Sequence, residues 1–190
     1  MNHTKSHIRK TYRALRLALT ANEQQALSEN LFRQFETIPL PAVQVIMSYQ
    51  PIKHQFEFDP VGIEQSLLNQ NPNAILCYPK VHGNAMDVFK FIPQHSTWET
   101  NEWGIPEISG GEKVMPEQID LIIVPLLIFD RKGFRVGYGK GYYDRFLQQC
   151  RSNVLSVGCS FFEPVEAITD LHAWDMRIRY GITPEKVYEF

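Results

Sequence analysis

The residues best suited to chemistry lie in one short segment, residues 129–145, which reads FDRKGFRVGYGKGYYDR. Alternate glycines leave backbone N–H groups accessible, and a predicted helix begins directly after them. Loops of this kind bind phosphate groups, because the helix start carries unpaired donors and partial positive charge. Two cationic side chains add full charges. The segment therefore predicts a polyphosphate site built on Arg135, Gly137, Gly139, Lys140 and Gly141.

The glycine pattern matches neither of the two common nucleotide-binding motifs. It lacks the G-x-x-x-x-G-K-[ST] spacing, and its third glycine comes one residue too early for G-x-G-x-x-G. A tight structural turn between a strand and a helix is the alternative interpretation. The charged and aromatic residues in the same stretch favour phosphate binding. Asp144 would then hold the Mg²⁺ that accompanies a nucleotide triphosphate, because Mg²⁺ takes one or two carboxylates plus phosphate oxygens.

A second group of candidates is basic and lies on the first predicted helix. Lys5 and Arg9 are four residues apart, so they share a helix face and could both reach one phosphate. Charge alone favours the alternative, a solvated basic face. The complete group is Lys5, Arg9, Lys10, Arg13 and Arg16.

Two acids two residues apart have different predicted roles. Asp59 precedes Pro60 and an apolar periodic stretch, which predicts that Asp59 is the N-cap of a helix beginning at Pro60. Glu57 would lie near a strand end, and the residues alone leave a structural and a functional role equally open for it. A Cys159–His172 nucleophile pair is not favoured, because Cys159 falls in a predicted buried strand.

Composition excludes several classes of protein. The 190 residues carry a net charge of −2, without the basic excess that a general nucleic-acid or anionic-membrane binder needs. Three widely spaced cysteines predict neither a zinc site nor a disulfide framework, so we expect a reducing, cytoplasmic location. The longest apolar run, residues 121–129, is interrupted by Pro125 and is far shorter than a membrane span of about 20 residues.

The elements that must position these residues predict one α/β domain spanning residues 1–190. Thr4 is a candidate N-cap for a helix with Ile8, Tyr12, Leu15 and Leu19 on its apolar face, and Thr20 with Glu23 forms a capping box for a second helix. Continuous apolar runs predict strands buried on both faces at residues 43–48, 74–78, 119–124 and 154–160. Residues 86–91 predict an edge strand, and residues 143–150 a helix. This alternation indicates a three-layer sandwich with a mostly parallel sheet.

Residues 137–147, GYGKGYYDRFL, resemble the 5-formyltetrahydrofolate cyclo-ligase family, also called methenyltetrahydrofolate synthetases. The similarity extends over nearly the whole chain. Further matching segments are the Lys5-x-x-x-Arg9 spacing, residues 49–60, Tyr78-Pro79-Lys80 and Trp174-Asp175-Met176. The resemblance implies a fold like that of sugar-phosphate isomerases and coenzyme A transferases.

The resemblance also implies an enzyme that uses ATP to cyclise 5-formyltetrahydrofolate to 5,10-methenyltetrahydrofolate through a phosphorylated formyl group. It implies catalytic roles for Lys140 and Arg135, and Mg²⁺ ligation by Asp144 and Asp175. The implied substrate-binding residues are Glu57, Met47 and Tyr142. The implied ATP-binding residues are Lys5, Arg9, Arg135, Val136, Gly137, Tyr138, Gly139, Lys140, Gly141, Tyr142 and Tyr143.

The implied partners are 5-formyltetrahydrofolate and ATP, with no nucleic acid and no membrane, and we expect a monomer. Two other functions remain open from the sequence. One is a non-catalytic domain that senses a sugar phosphate or nucleotide, and the other is a phosphotransferase acting on a different small carboxylate. A sensor would need the anion site but neither Asp144 nor a second, aromatic pocket.

Overall fold

A computed structural model describes residues 3–102 and 104–190 of the chain. Its helices are α1 (Lys5–Leu17), α2 (Ala21–Phe35), α3 (Val61–Gln70) and α4 (Tyr142–Leu147), with short 3₁₀ turns at Lys53–Gln55 and Pro116–Gln118. The strands are β1 (Val45–Met47), β2 (Ile75–His82), β3 (Ala85–Lys90), β4 (Trp98–Thr100), β5 (Pro106–Ile108), β6 (Lys113–Val114), β7 (Leu121–Ile123), β8 (Ile128–Phe129), β9 (Arg135–Val136), β10 (Leu155–Cys159), β11 (Tyr180–Ile182) and β12 (Val187–Glu189).

The main sheet has eight strands in the order β12-β11-β10-β7-β1-β2-β3-β6. Its five central strands are parallel, and the outer strands β12, β3 and β6 run antiparallel to their neighbours. The four predicted buried strands are β1, β2, β7 and β10, so the mostly parallel sheet is confirmed. The prediction of an edge strand at residues 86–91 is wrong, because β6 pairs with the outer side of β3 and forms the edge.

Alternation along the central strands distributes side chains to both faces of the sheet. Ile46 packs with α2 and α3 on one face, while the next residue, Met47, packs with Phe146 and Leu147 of α4 on the other. The three-layer arrangement is therefore confirmed. Helix α4 is shorter than predicted, because it ends at Leu147 and leaves Cys150 in the following turn.

The N-terminal helices begin where their capping residues predict. The Thr4 side chain accepts a hydrogen bond from the His7 N–H, and Thr20 and Glu23 form the capping box. The apolar face predicted for α1 is only partly correct, because Leu15 is 46% exposed whereas Ile8 and Arg16 are buried. Helix α1 packs against the β8–β9 hairpin, and the inward-facing Arg16 donates hydrogen bonds to Leu126 before β8 and to Tyr138 after β9.

The order in which strands are added to the sheet reverses between the parallel neighbours β1 and β7. From β1 the chain proceeds to β2 on one side, whereas β7, β10 and β11 follow on the other side. Ligands of open parallel sheets bind in the crevice at the carboxyl ends of such strands. Within the described ranges, no helix combines the length and the apolar character that crossing a membrane requires.

Helix α3 begins one residue later than predicted. Pro60 takes the cap position and Val61 is the first helical residue. The Asp59 carboxylate nevertheless accepts a hydrogen bond from the Val61 N–H at 3.1 Å, so Asp59 still satisfies a donor at the start of the helix. Its side chain is exposed, and its role is structural.

We expect Asp59→Ala to lower the free energy of unfolding by about 1 kcal/mol, since it leaves the Val61 N–H without its acceptor. Asp59→Asn is the matched control, because it keeps an acceptor oxygen at the same place. Urea denaturation of the three proteins measures the difference. Equal stability of the alanine variant and the unaltered protein would contradict this role.

Candidate active site

A cavity of about 660 Å³ opens at the carboxyl ends of β1, β2 and β7. Residues 49–57 after β1 form one wall, and Pro125 after β7 forms its floor. The start of helix α1, the glycine loop and residues 172–175 line another part of it. Nearly every site residue predicted from the sequence lies around this one cavity.

Two of the three loop glycines have conformations that other residues rarely adopt. The φ angles of Gly139 and Gly141 are +91° and +69°, whereas Gly137 has no positive φ. A Cβ atom on Gly139 would also lie 3.0 Å from the Arg9 guanidinium carbon. Gly139 therefore allows both the turn of the loop and the close approach of α1.

Lys5 and Arg9 of α1 both reach the cavity, as their four-residue spacing predicts. The Lys5 ammonium forms an ion pair with Asp175 at 2.5 Å. The Arg9 Nε donates to the Gly137 carbonyl at 2.8 Å. The helix start contributes little here, because α4 has only six residues. Cationic side chains supply most of the positive charge at this end of the cavity.

The same helix contributes two arginines that sequence reasoning left as a solvated face. Arg13 lines the cavity and donates from Nε to Gln55 Oε1 at 2.6 Å. Arg16 is only 2% exposed and donates from Nη2 to the Tyr138 hydroxyl at 2.5 Å. The spacing of the four cations, each three or four residues after the last, is the pattern that could have found them. Lys10, off this face, is exposed.

Arg135, Asp144 and Asp175 form the charged centre of the site. The Arg135 side chain is 5% exposed, and its Nη2 lies 3.0 Å from Asp144 Oδ1. Its Nη1 donates to the Met176 carbonyl at 2.7 Å, and the Met176 N–H donates to Asp144 Oδ1 at 3.0 Å. Burial lowers the pKa of Arg135, and Asp144 opposes that shift. These contacts hold Asp144 against the backbone of Met176, the residue that follows Asp175, and both aspartates line the cavity.

Two carboxylates that line one cavity suit a hard cation only when another ligand completes the set. Within residues 3–102 and 104–190, no group of three or more metal-ligating side chains comes together. The contacts of Asp144 engage Oδ1 and those of Asp175 engage Oδ2, which leaves the second oxygen of each carboxylate outside these pairings. Mg²⁺ commonly binds one or two carboxylates plus phosphate oxygens. The donor set fits that mode.

The remaining loop residues surround this centre. Val136 is buried, whereas Lys140 is exposed at the cavity rim. The Tyr142 hydroxyl donates to the Gly83 carbonyl at 2.9 Å, which ties the loop to the turn between β2 and β3. Burial raises the pKa of Tyr143, so its ring remains neutral beside Arg135.

Glu57 lies at the other end of the cavity and is 9% exposed. Its Oε2 accepts from the Ile52 N–H at 2.9 Å, and its Oε1 accepts from the Tyr138 hydroxyl at 3.0 Å. Burial raises the pKa of Glu57, while the Ile52 N–H, Arg16 and Tyr138 oppose the rise. A buried carboxyl group that lines the cavity favours the functional role for Glu57 over the structural one.

Met47 is the one predicted site residue that the structure does not bring to the cavity. It lies in the middle of the sheet on β1, where its side chain is fully buried in the core under α4. The prediction of substrate contact by Met47 is therefore corrected: the face of β1 that carries Met47 packs against a helix. The contacts at the end of β1 come instead from Tyr49 and Ile52.

Aromatic side chains to which the sequence assigned no binding role form two parts of the wall. Tyr78 and Trp98 pack edge to face, 5.1 Å between ring centroids, near β2. His172 and Trp174 stack at 4.6 Å beside Asp175, and Trp174 is 59% exposed. Cys159 is buried in the core, and burial raises the pKa of its thiol, so it does not suit the role of a nucleophile paired with His172.

Comparison with known proteins identifies the family. A family model described as the 5-formyltetrahydrofolate cyclo-ligase family matches residues 1–170. The chain belongs to this family. The 5-formyltetrahydrofolate cyclo-ligase of Mycoplasma pneumoniae is 29% identical over 184 residues, covering 95% of this chain and 99% of that protein. The cyclo-ligase of Escherichia coli K12 is 28% identical, covering 94% and 99%.

Solved structures of relatives in the cyclo-ligase family share the fold. The 5,10-methenyltetrahydrofolate synthetase of Aquifex aeolicus superposes with a TM-score of 0.79 at 31% identity, over 97% of this chain and 92% of that one. The synthetase from Mycoplasma pneumoniae has a TM-score of 0.73 at 26% identity, over 95% and 98%. The α/β fold expected from the sequence is thus common to these proteins.

We expect Gly139→Ala to lower the free energy of unfolding by about 1–3 kcal/mol, because a Cβ strains a backbone with positive φ and meets the Arg9 guanidinium. Gly137→Ala is the matched control, since its Cβ would lie 3.8 Å from the nearest atom, the Pro125 carbonyl oxygen. Thermal and urea unfolding measure both variants. The conformational argument fails if the two substitutions cost the same.

Proposed function

We propose that this chain catalyses the ATP-dependent cyclisation of 5-formyltetrahydrofolate to 5,10-methenyltetrahydrofolate, releasing ADP and phosphate. One observation carries the proposal beyond family membership. A single cavity contains both a cationic end lined by the glycine loop and an end with a buried carboxylate, with an aromatic wall along its side. Those two ends suit a polyphosphate and a nitrogen heterocycle, respectively.

The chemistry explains why ATP is needed. A formamide carbonyl is a poor electrophile, because the nitrogen lone pair is delocalised into it. Attack of the formyl oxygen on the γ-phosphorus forms an O–P bond and releases ADP. The neighbouring bridging nitrogen of the folate then attacks the activated carbon, its N–H proton is released to solvent, and the oxygen leaves as phosphate. The substrate supplies its own nucleophile, so no serine, cysteine or histidine of the protein acts covalently.

The protein's task is to hold the γ-phosphoryl group in line with the formyl oxygen and to neutralise its charge. Lys5, Arg9 and Lys140 are the cations we assign to the phosphates, with backbone groups of residues 136–143 beside them. Arg135 has a mixed role, because two of its N–H groups already orient Asp144 and the Met176 carbonyl. Asp144 and Asp175 would hold Mg²⁺ with phosphate oxygens, and the ion would neutralise charge on the transferred group.

The folate is assigned to the end containing Glu57. A pterin presents adjacent N–H donors along one edge, and a carboxylate accepts from such a pair. Tyr142 and Tyr143 lie between this end and the charged centre, where they would contact the ring system next to the formyl group.

The nucleotide base is assigned to Trp174. One face of its ring is covered by His172, and the side chain is otherwise exposed in the cavity beside Asp175. A base bound there would stack on an aromatic surface while its phosphates extend toward Lys140.

A non-catalytic sensor is not favoured, because an anion sensor has no need for Asp144 and Asp175 or for a second, aromatic end. We also place the enzyme in the cytoplasm. The three cysteines are free, so a reducing location fits them. The monomeric state stays a prediction.

We expect a mixture of the protein, ATP, Mg²⁺ and 5-formyltetrahydrofolate to form the methenyl product. The near-ultraviolet absorption of that product measures the reaction. Omitting ATP, omitting the divalent cation, or supplying a non-hydrolysable ATP analogue should each abolish turnover. Phosphate release with a panel of small carboxylates provides the comparison. Product at full rate without nucleotide would refute the phosphorylation mechanism, and ATP turnover only with another carboxylate would indicate the phosphotransferase.

Binding of ATP and of inorganic tripolyphosphate separates the base contact from the phosphate contacts. Trp174→Ala should weaken ATP about ten- to hundredfold through loss of stacking while leaving tripolyphosphate affinity unchanged. Lys140→Met should weaken both ligands by a similar factor, since it removes a charge-assisted contact. Isothermal titration measures all six affinities. If Trp174→Ala weakens tripolyphosphate as strongly as ATP, the base binds elsewhere.

A further inference from the structure

A chain of three side chains crosses from the first helix to the folate end of the cavity. The buried Arg16 donates from Nη2 to the Tyr138 hydroxyl at 2.5 Å, and that hydroxyl lies 3.0 Å from Glu57 Oε1. Arg16 does not line the cavity, so it cannot contact a ligand there directly. It acts on the site from outside the cavity, through its hydrogen bond to Tyr138 and through its charge.

The direction of the protons along this chain follows from the groups themselves. A guanidinium has only donors, and a tyrosine hydroxyl has one proton and two lone pairs. Tyr138 therefore accepts from Arg16, and its single proton goes to Glu57 Oε1. The Ile52 N–H donates to Oε2 at 2.9 Å. Both oxygens of Glu57 thus accept hydrogen bonds, which is the pattern of an ionised carboxylate.

The charge balance around Glu57 depends on the same arginine. Burial favours the protonated acid, and the Ile52 N–H, Arg16 and Tyr138 act against it. Tyr49 and Tyr143 also face Glu57, but burial raises the pKa of both phenols, so they remain neutral. Among the residues described here, Arg16 is the cation that acts on this carboxylate.

Burying Arg16 lowers the stability of the folded protein in a way that packing alone does not explain. Arg16 Nε is buried and has no hydrogen-bond partner among the described residues. A buried unsatisfied donor is destabilising, and such exceptions concentrate at functional sites. A leucine would fill this position on α1 without that cost.

We propose that Arg16 is a positioning residue that acts through the Tyr138 hydroxyl to hold Glu57 as an oriented carboxylate for the N–H edge of the pterin. The inference rests on the proposed folate site. It adds that the pH range over which folate binds is set by a residue outside the cavity.

The test is the dissociation constant of 5-formyltetrahydrofolate without ATP, measured by isothermal titration from about pH 5.5 to pH 9. Tyr138→Phe is nearly isosteric and removes only the hydroxyl, while Arg16→Met removes the charge. Lys10→Met is the control, because it removes an exposed positive charge from the same helix. Glu57→Gln is the reference for a site in which residue 57 cannot ionise. Titration of the folate itself is common to all proteins and cancels between them.

In the unaltered protein, affinity should fall on acidification as Glu57 becomes protonated. In Tyr138→Phe and Arg16→Met, the pKa of Glu57 rises, so the acid midpoint should move up by about one pH unit or more. Affinity near neutral pH then drops and recovers in alkaline buffer. Lys10→Met should keep the midpoint of the unaltered protein, and Glu57→Gln should bind weakly at every pH.

Outcomes that overturn the inference differ from those that overturn the proposed function. A midpoint in Tyr138→Phe that is unchanged or lower, even with uniformly weaker binding, shows that Tyr138 only shapes the pocket. Tyr138→Phe decides the matter if Arg16→Met fails to fold. Absence of folate binding by the unaltered protein, or full binding by Glu57→Gln, would instead refute the folate site itself.

Discussion

The arrangement of the site depends on one constraint: the cations on the basic face of α1 lie over the carboxyl edge of the sheet, where they need ion-pair or hydrogen-bond partners. Cations removed from water are costly unless they are paired or hydrogen-bonded. Each of four cations on this face meets a different group. The pairs are Lys5 with Asp175, Arg9 with the Gly137 carbonyl, Arg13 with Gln55, and Arg16 with Tyr138. One helix thereby holds together three segments that are far apart in the sequence.

The same pairing divides the cavity into two chemical environments. At the phosphate end, Asp144 is paired with the buried Arg135, and Asp175 is paired with Lys5. At the other end, Glu57 is screened from water and relies on hydrogen bonds for its charge. Tyr138 belongs to the glycine loop yet donates to Glu57, so the loop connects the two ends.

The fold was accessible from sequence wherever one local rule acts alone. Continuous apolar runs gave the central strands because both faces of a parallel sheet are covered, and Thr20 with Glu23 marked a helix start that needs no tertiary contact. Predictions failed where a distant segment decides. Residues 86–91 are an inner strand because β6 pairs beyond them, and Leu15 is exposed because Arg16 has polar partners in a distant loop.

For the site, the sequence determined which groups are present: a glycine loop with cations, two aspartates, and a glutamate after a strand. Those follow from residue type and spacing along one segment. Only the tertiary structure decided which of them meet, since hydrogen bonds such as Arg16–Tyr138 and Tyr138–Glu57 join residues 122 and 81 positions apart. It also removed Met47, because the pleat of β1 turns that side chain into the core. Burial and pairing, which set the charge of Glu57, arise only when these segments pack together.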